Sequence, residues 1–369
     1  MHPAGPISPT KGRGAVGNPR SRFETHDHER VDDGWWQEEE PLPALETTVA
    51  NDATRRVITR NNSPDIPFDR SINPYQGCEH GCIYCYARPS HAFHGLSPGL
   101  DFETRLFAKP NAAALLAEEL RRPGYRPATI MLGANTDPYQ PIERRMRITR
   151  SVVEVLAGCR HPLAITTKSA LVCRDLDVLA EMASVGLVAV GISLTTLDPG
   201  LARIMEPRAA SPTRRLRTIE TLAGAGVPVS VMAAPMIPFV NDHELERILR
   251  AASAAGADGA SWTLVRLPHE LKDLFREWLA AHYPERTARV EAVIRDSRGG
   301  RLYDSDWRRR MRGSGAYAEM LAARFAIACR RFGLAHGAAA MRPLVTDLFR
   351  PPTRTDPPPS GSQLTLDLR

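Results

Sequence analysis

Three of the six cysteines in this 369-residue chain fall inside one short stretch, "CEHGCIYC", which runs from Cys78 to Cys85. The spacing, with Cys78, Cys82 and Cys85 three and two residues apart, groups thiolates as soft-metal or redox sites do. A closed structural zinc site takes four protein ligands in paired spacings, and the nearest spare ligand here is His80, inside the loop itself. A [4Fe–4S] cluster offers four irons, so three cysteines leave one iron open to chelate a small molecule and hand it an electron. Cys159, Cys173 and Cys329 are scattered, form no second close-spaced group and read as no disulfide framework. Tyr84 and Tyr86 flank the last cysteine of the group and place aromatic faces beside it.

The elements that would carry this loop follow from periodicity. Short β-rich apolar runs occur at 128–134, 163–168, 187–194, 227–235 and 259–267, with a further strand expected near Arg70–Tyr75 just before the cysteines. Amphipathic stretches separate them, such as "TRSVVEVLAGC" and "NDHELERILRAASAAG". In the second of these, Asn241 or Asp242 is positioned to cap the helix start. Ser211 and Pro212 suit a cap and first turn in the same way. Strand–helix alternation at this spacing implies right-handed βαβ units and a parallel sheet. Six units make a partial (β/α)6 barrel rather than a closed eightfold one, with ligands expected at the C-terminal strand ends. The cysteine loop leaves the first strand on that face.

The organisation expected is a mostly irregular N-terminal arm over 1–55, a barrel core over 56–267, a helical C-terminal extension over 268–349 and a Pro/Ser/Gly tail over 350–369. The clearest helix of the extension is "GAYAEMLAARFAIACRRFG". No apolar run approaches the roughly 18–20 residues that span a bilayer, and the longest, near Val229–Val240, is broken by two prolines. The N-terminus lacks an apolar signal region, so a cytoplasmic protein with no membrane partner is expected. The net charge of +6 points only weakly to a polyanionic partner, since 44 of the 48 basic residues are arginine, a bias that a GC-rich genome alone produces.

"CEHGCIYC" matches the CxxxCxΦC signature of the radical S-adenosylmethionine (SAM) superfamily. The chain resembles in particular the bacterial branch allied to spore photoproduct lyase, from "GRGA" (Gly12–Ala15) through "NSPDIPFDRSINPYQGCEHGCIYCYARP" to "MEPRAASP". The resemblance implies a [4Fe–4S] cluster on Cys78, Cys82 and Cys85 whose fourth iron takes the amine and carboxylate of SAM. An external donor of flavodoxin or ferredoxin type would supply the electron that cleaves SAM to methionine and a 5′-deoxyadenosyl radical, which abstracts a substrate hydrogen. Tyr84 would contact the adenine. Lys168, in "TTKSALVCRD", and Ser193, in "GISLTT", would bind the SAM carboxylate and ribose region.

Where many members carry a Gly-Gly-Glu-like stretch for the SAM amine, this chain has Asn135, Thr136 and Asp137 in "GANTDPYQPIE". An aspartate there supplies a charge-assisted acceptor, and a turn-forming Asn/Asp cluster is the alternative. The lyase returns a hydrogen atom from a cysteine beyond the cluster motif, yet this chain has no cysteine between Tyr86 and Gly158. Tyr86 is the residue left to relay a hydrogen. "RIMEPRAASPTRRL" holds four arginines and Glu206 and reads either as shaping the substrate side or a phosphate contact, or as a plain loop and helix start. Arg266 is expected at the mouth, and Trp35–Trp36 is expected to anchor the arm, with stacking on a ligand as the alternative. By this resemblance the substrate class is DNA, in repair or modification; a peptide or small-metabolite substrate and a non-catalytic iron–sulfur protein stay open. At the end of the tail, Gln363, Leu364, Leu366 and Leu368 form a Q-L-x-L-x-L pattern similar to peptides that dock on the bacterial sliding clamp.

Overall fold

The computed structural model describes residues 10–24, 45–337 and 343–353, so Trp35–Trp36 and the Gln363–Leu368 pattern lie outside the described residues. Six parallel strands form the centre: β1 (Arg70–Ile72), β2 (Ile130–Leu132), β3 (Leu163–Thr167), β4 (Val188–Ser193), β5 (Val229–Met236) and β6 (Gly259–Leu264). Their spatial order is their chain order, each strand pairing in parallel with the next. One antiparallel edge strand, Thr59–Arg60, lies outside β1. Among the described residues β1 and β6 do not pair, so the sheet curls as a partial barrel, as six βαβ units require.

The crossover helices are α1 (Ala112–Arg121), α2 (Ile148–Gly158), α3 (Leu176–Ser184), α4 (Pro212–Gly224) and α5 (Leu245–Ala254). Their apolar stripes, such as Val152, Val153 and Leu156 on α2, close over strand residues including Ile165, Val190 and Val231 in one core. Ser211 caps α4 as its sequence suggests, accepting from the Arg214 N–H with Pro212 in the first turn. Asn241 does not cap. Its side chain is buried, accepts from the Ile237 N–H and donates to the carbonyls of Thr195 and Pro235, so it ties the ends of β4 and β5 together.

The extension consists of α6 (Leu271–His282), α7 (Thr287–Asp296) and α8 (Ala316–Phe332), with an irregular segment between the last two. α8 packs on α5 and β6 through Phe325 and Trp262. α6 and α7 build a second core, in which Trp278, Leu274 and Ile294 meet Ile83 and Tyr84 of the cysteine loop. The helical extension therefore serves as the wall behind that loop.

Two expectations are corrected. The strand expected over Arg70–Tyr75 stops at Ile72; beyond it Pro74 has no N–H for the ladder, and Tyr75–Gln76 joins a separate three-stranded sheet. That sheet pairs Tyr75–Gln76 with Arg105–Ala108 and the latter with Thr48–Asn51, so the N-terminal arm contributes a strand inside the region read as irregular. Strands of two to four residues with partners this far along the chain carry too little alternation to be seen locally. No helix among the described residues is long and apolar enough to cross a membrane.

Candidate functional site

The cysteine loop is built from consecutive tight turns. Gly77 and Gly81 hold left-handed backbone at φ 73° and 66°, and the N–H groups of Gly81 and Cys85 donate to the carbonyls of Cys78 and Cys82. The Cys78 N–H donates to Phe102 O and the Ile83 N–H to Met205 O, which fasten the loop to both sides of the mouth. Cys78 and Cys82 are buried and Cys85 is half-buried.

Burial raises the Cys78 thiol well above its usual value, and the nearby Asp137, Cys82 and Cys85 raise it further. Burial also raises Cys82, opposed by the Lys168 ammonium and reinforced by Glu206 and Cys85. Three neighbouring sulfurs, two of them shut away from water, are a donor set that a multiply charged soft cation satisfies. Among the described residues no group of three His, Cys, Asp or Glu side chains is arranged to hold a single metal ion. By its chemistry, three thiols on one short loop, the donor set fits a cluster ligated through separate irons.

Around the sulfurs stands a set of buried charges. Arg88, three residues past Cys85, donates from Nε to Cys82 O, and from its terminal nitrogens to the carbonyls of Gly81, Pro98 and Gly99 and to Glu103. Glu103 also accepts the N–H groups of Gly14 and Ala15, at 3.1 and 2.9 Å. Gly14 packs so closely that an added Cβ would stand 1.7 Å from Gly81 O. This explains in contacts why "GRGA" belongs with the cysteine loop. Gln140 clasps the other side, accepting from the Glu79 N–H and donating to Gly77 O.

The expected SAM contacts divide into two groups. Lys168 and Tyr84 come together at the sulfurs: the Lys168 ammonium lies 5.7 Å from the Tyr84 ring centre and acts on Cys82. The side chains of Thr136 and Asp137 are bonded within the protein, and Asn135 is held there through its backbone N–H. The N–H groups of Asn135 and Thr136 reach Asn73 Oδ1, and Thr136 Oγ1 donates to Tyr75 O. Asp137 accepts from Thr167 Oγ1 and the N–H groups of Tyr139 and Lys168, and stands 3.3 Å from His80 Nδ1. Burial raises its pKa, but His80 and these donors prevail and hold it down at about 2. Asp137 therefore locks β3 to the cysteine loop through His80. Ser193 is buried at the end of β4 and donates to Ala234 O at 3.4 Å, apart from the Lys168–Tyr84 pair in its bonding.

Tyr86 comes to the surface at the mouth. Its hydroxyl donates to Ala134 O, the Arg266 guanidinium sits 4.4 Å from its ring centre, and the residue is 45% exposed. Burial raises the pKa of the hydroxyl, with the Arg266 charge opposing it.

Glu206, expected on the substrate side, is instead buried and accepts from Tyr84 Oη, Thr195 Oγ1 and Arg215. It orients Tyr84. Arg88, Glu103 and Gln140 had no signal in isolation, because their roles depend on chain segments brought together only by folding. Cys159 closes α2 and Cys173 lies beside Thr218 of α4, so both stay on the helix side as expected.

Residues 72–252 match the radical SAM superfamily profile. An uncharacterised protein of Mycobacterium tuberculosis is 39% identical over 236 residues, covering 63% of this chain and 69% of that one. An uncharacterised protein of Methanocaldococcus jannaschii is 28% identical over 173 residues, covering 47% of this chain and 62% of that one. Among solved structures, spore photoproduct lyase complexed with dinucleoside spore photoproduct superposes with a TM-score of 0.52 at 16% identity, covering 78% of this chain and 80% of that one. This last likeness is one of fold.

Proposed function

We propose, because the chain belongs to the radical SAM superfamily and is a radical SAM enzyme, that Cys78, Cys82 and Cys85 hold a [4Fe–4S] cluster and that the substrate worked on is a nucleic acid, in repair or modification. When bound, the cluster supplies the electron that reductively cleaves SAM and so gives the hydrogen-abstracting 5′-deoxyadenosyl radical. The observation that carries the reading is the set of three cysteines, two of them buried, on the loop leaving β1, at the ligand-binding end of a six-stranded parallel sheet.

The chain's own residues then have distinct tasks. Lys168 places a positive charge beside Cys82 and the Tyr84 ring, where it suits the carboxylate of SAM. Glu206 fixes Tyr84 for the adenine, and the second core behind the loop excludes water and oxygen from the sulfurs. Tyr86, with its hydroxyl on Ala134 O and its ring toward the opening, is placed to relay a hydrogen to a product radical in a chain with no cysteine from Tyr86 to Gly158. An external flavodoxin- or ferredoxin-type protein is the expected electron source.

Anaerobic reconstitution with iron and sulfide tests the reading. About four irons per chain should bind, and reduction with SAM present should release 5′-deoxyadenosine. Cys82→Ala should lose both. Stoichiometric zinc without sulfide, or a loaded cluster that never yields 5′-deoxyadenosine, overturns it. Deuterium carried from a labelled oligonucleotide into 5′-deoxyadenosine checks the substrate class.

A further inference from the structure

Seven large apolar side chains are exposed among the described residues, and four of them are aromatic: Phe23, Tyr86, Phe93 and Trp307. A scattered exposed leucine or methionine needs no explanation, but aromatics gathered with arginines at one opening do. The Arg22 guanidinium lies 4.5 Å from the Phe23 ring centre and 5.2 Å from that of Phe93, and Arg266 lies over Tyr86. Trp307, 46% exposed, is followed directly by Arg308, Arg309 and Arg310.

The fold fixes these residues at the mouth. The Met311 carbonyl accepts from the N–H of Leu264, the last residue of β6. Buried Arg298 donates to the carbonyls of Leu264, Val265, Arg309 and Arg310, which staples the Trp307 loop onto the C-terminal end of that strand. Arg310 pairs with Asp65, in the lead-in to β1, at 2.6 Å through two nitrogens. Phe93 belongs to the turn of helix that follows the cysteine loop, Arg88–His94.

The charges on this rim are unequally spent. Arg309 pairs with Asp304 and Asp306, whereas Arg301, Arg308 and Arg312 have no carboxylate partner among the described residues. The segment runs back from Trp307 into an open cleft of about 540 Å³ whose lining includes Lys272, Arg276, Arg295, Arg301 and Tyr303, with Asp273 as its carboxylate. Arg276 and Arg295 are held by Glu291, which leaves Lys272 and Arg301 to act on a ligand.

Arg22, over Phe23 and Phe93, is paired with Glu270, whereas exposed Trp307 stands beside Arg308, which has no carboxylate partner among the described residues, on a loop held at the C-terminal end of β6. An exposed aromatic face next to an unpaired cation suits a polyanion that carries its own aromatic faces. We infer that this rim binds an unpaired stretch of nucleic acid, with bases stacking on Trp307 and phosphates on Arg301, Arg308 and Lys272. A duplex hides its base faces and gains only the phosphate contacts, so unpaired strands are preferred. The inference rests on the barrel mouth being the substrate site, as proposed above, and names the elements that recognise the substrate.

The test is binding of a fluorescently labelled 15-nucleotide single-stranded DNA to the anaerobically reconstituted protein, followed by anisotropy across a salt series without SAM. The same sequence as a blunt duplex serves as comparison. Trp307→Ala should weaken single-strand binding about ten-fold with an unchanged salt slope, and Trp307→Phe should restore most of it. Arg308→Ala should lower the slope by about 0.7, one phosphate's share for a single strand. Duplex affinity equal to that for the single strand, or equal binding by Trp307→Ala and the parent protein, overturns the inference. So does absence of oligonucleotide binding. Release of 5′-deoxyadenosine is measured in parallel: if it persists while binding fails, this inference falls and the enzymatic reading stands, and the reverse outcome separates them the other way.

Discussion

The cysteine loop and the Trp307 loop both lie at the barrel mouth, yet they are held in opposite ways. Between Gly77 and Arg88 the charges are buried against partners from elsewhere in the chain: Arg88 with Glu103, His80 beside Asp137, Glu79 with Arg208. Between Arg301 and Arg312 the loop is fastened from below through main-chain carbonyls, while Trp307, Arg308 and Arg312 remain exposed. The first arrangement fixes a geometry before any ligand arrives. The second keeps side chains free to adapt to a ligand of variable sequence. A site that must place an electron and a site that must grip a polymer make these different demands, and the buried-charge content of each loop reflects its task.

The strongest way to break the contrast is to remove a buried charge. Glu103→Ala leaves the fully buried Arg88 guanidinium without its counter-charge and strips the acceptor from the Gly14 and Ala15 N–H groups. A loss of about 3–5 kcal/mol is expected, read as a lower urea midpoint at unchanged slope. The paired replacement Arg88→Met with Glu103→Leu should cost less than the single change, because no buried charge is then left alone. A Glu103→Ala protein within 1 kcal/mol of the parent would show that the pair is not what holds the loop.

Acid sharpens the contrast further. His161, just before β3 on the barrel floor, lies within 2.8 Å of Tyr125 Oη at Nε2 and 2.9 Å of Pro162 O at Nδ1. A carbonyl cannot donate, so the neutral ring donates from Nδ1 and accepts the tyrosine proton at Nε2; Arg70 in turn donates to that tyrosine oxygen. Burial first, and then the Arg70 charge, lower its pKa from 6.5 to about 4. Burial likewise lowers His91 to about 4. The unfolded chain thus binds protons that the folded chain refuses. Stability is complete above about pH 6.5 and is lost as pH falls toward 4, by about 3 kcal/mol for each histidine. Urea midpoints at pH 7, 5.5 and 4 check this, and His161→Gln should remove roughly half of the slope. A flat profile in the parent would place charged histidine in the folded core.

Sequence periodicity made the barrel legible because each of its strands and helices declares itself within its own span. "LAITT" alternates, "SVVEVL" repeats at helical spacing, and Ser211–Pro212 marks a helix start, so β3, α2 and α4 appear close to where they are expected. The three cysteines were legible for the same reason, with spacing and type in one stretch. What stayed hidden depends on distant partners: the Thr48–Asn51 strand, Glu103 reaching Gly14, and Glu206 turning inward to Tyr84. The Trp307 loop was hidden differently. In a chain with this much arginine, "DWRRRMR" reads as an ordinary solvated stretch until Arg298 is seen to fasten it beside β6.

The smallest expected effect is the sharpest discriminator between the two loops. Trp307→Ala and Arg308→Ala remove exposed side chains that have no buried partner among the described residues, so global stability should shift by less than about 0.5 kcal/mol. The same two substitutions should still weaken oligonucleotide binding, because stacking and phosphate contacts exist only in the complex. A stability loss above about 1 kcal/mol would mean that Trp307 packs into the protein and that the loop is a structural brace. Urea unfolding of both variants beside the parent, at pH 7 where the histidines are neutral, decides between a loop that supports the barrel and one that waits for a ligand.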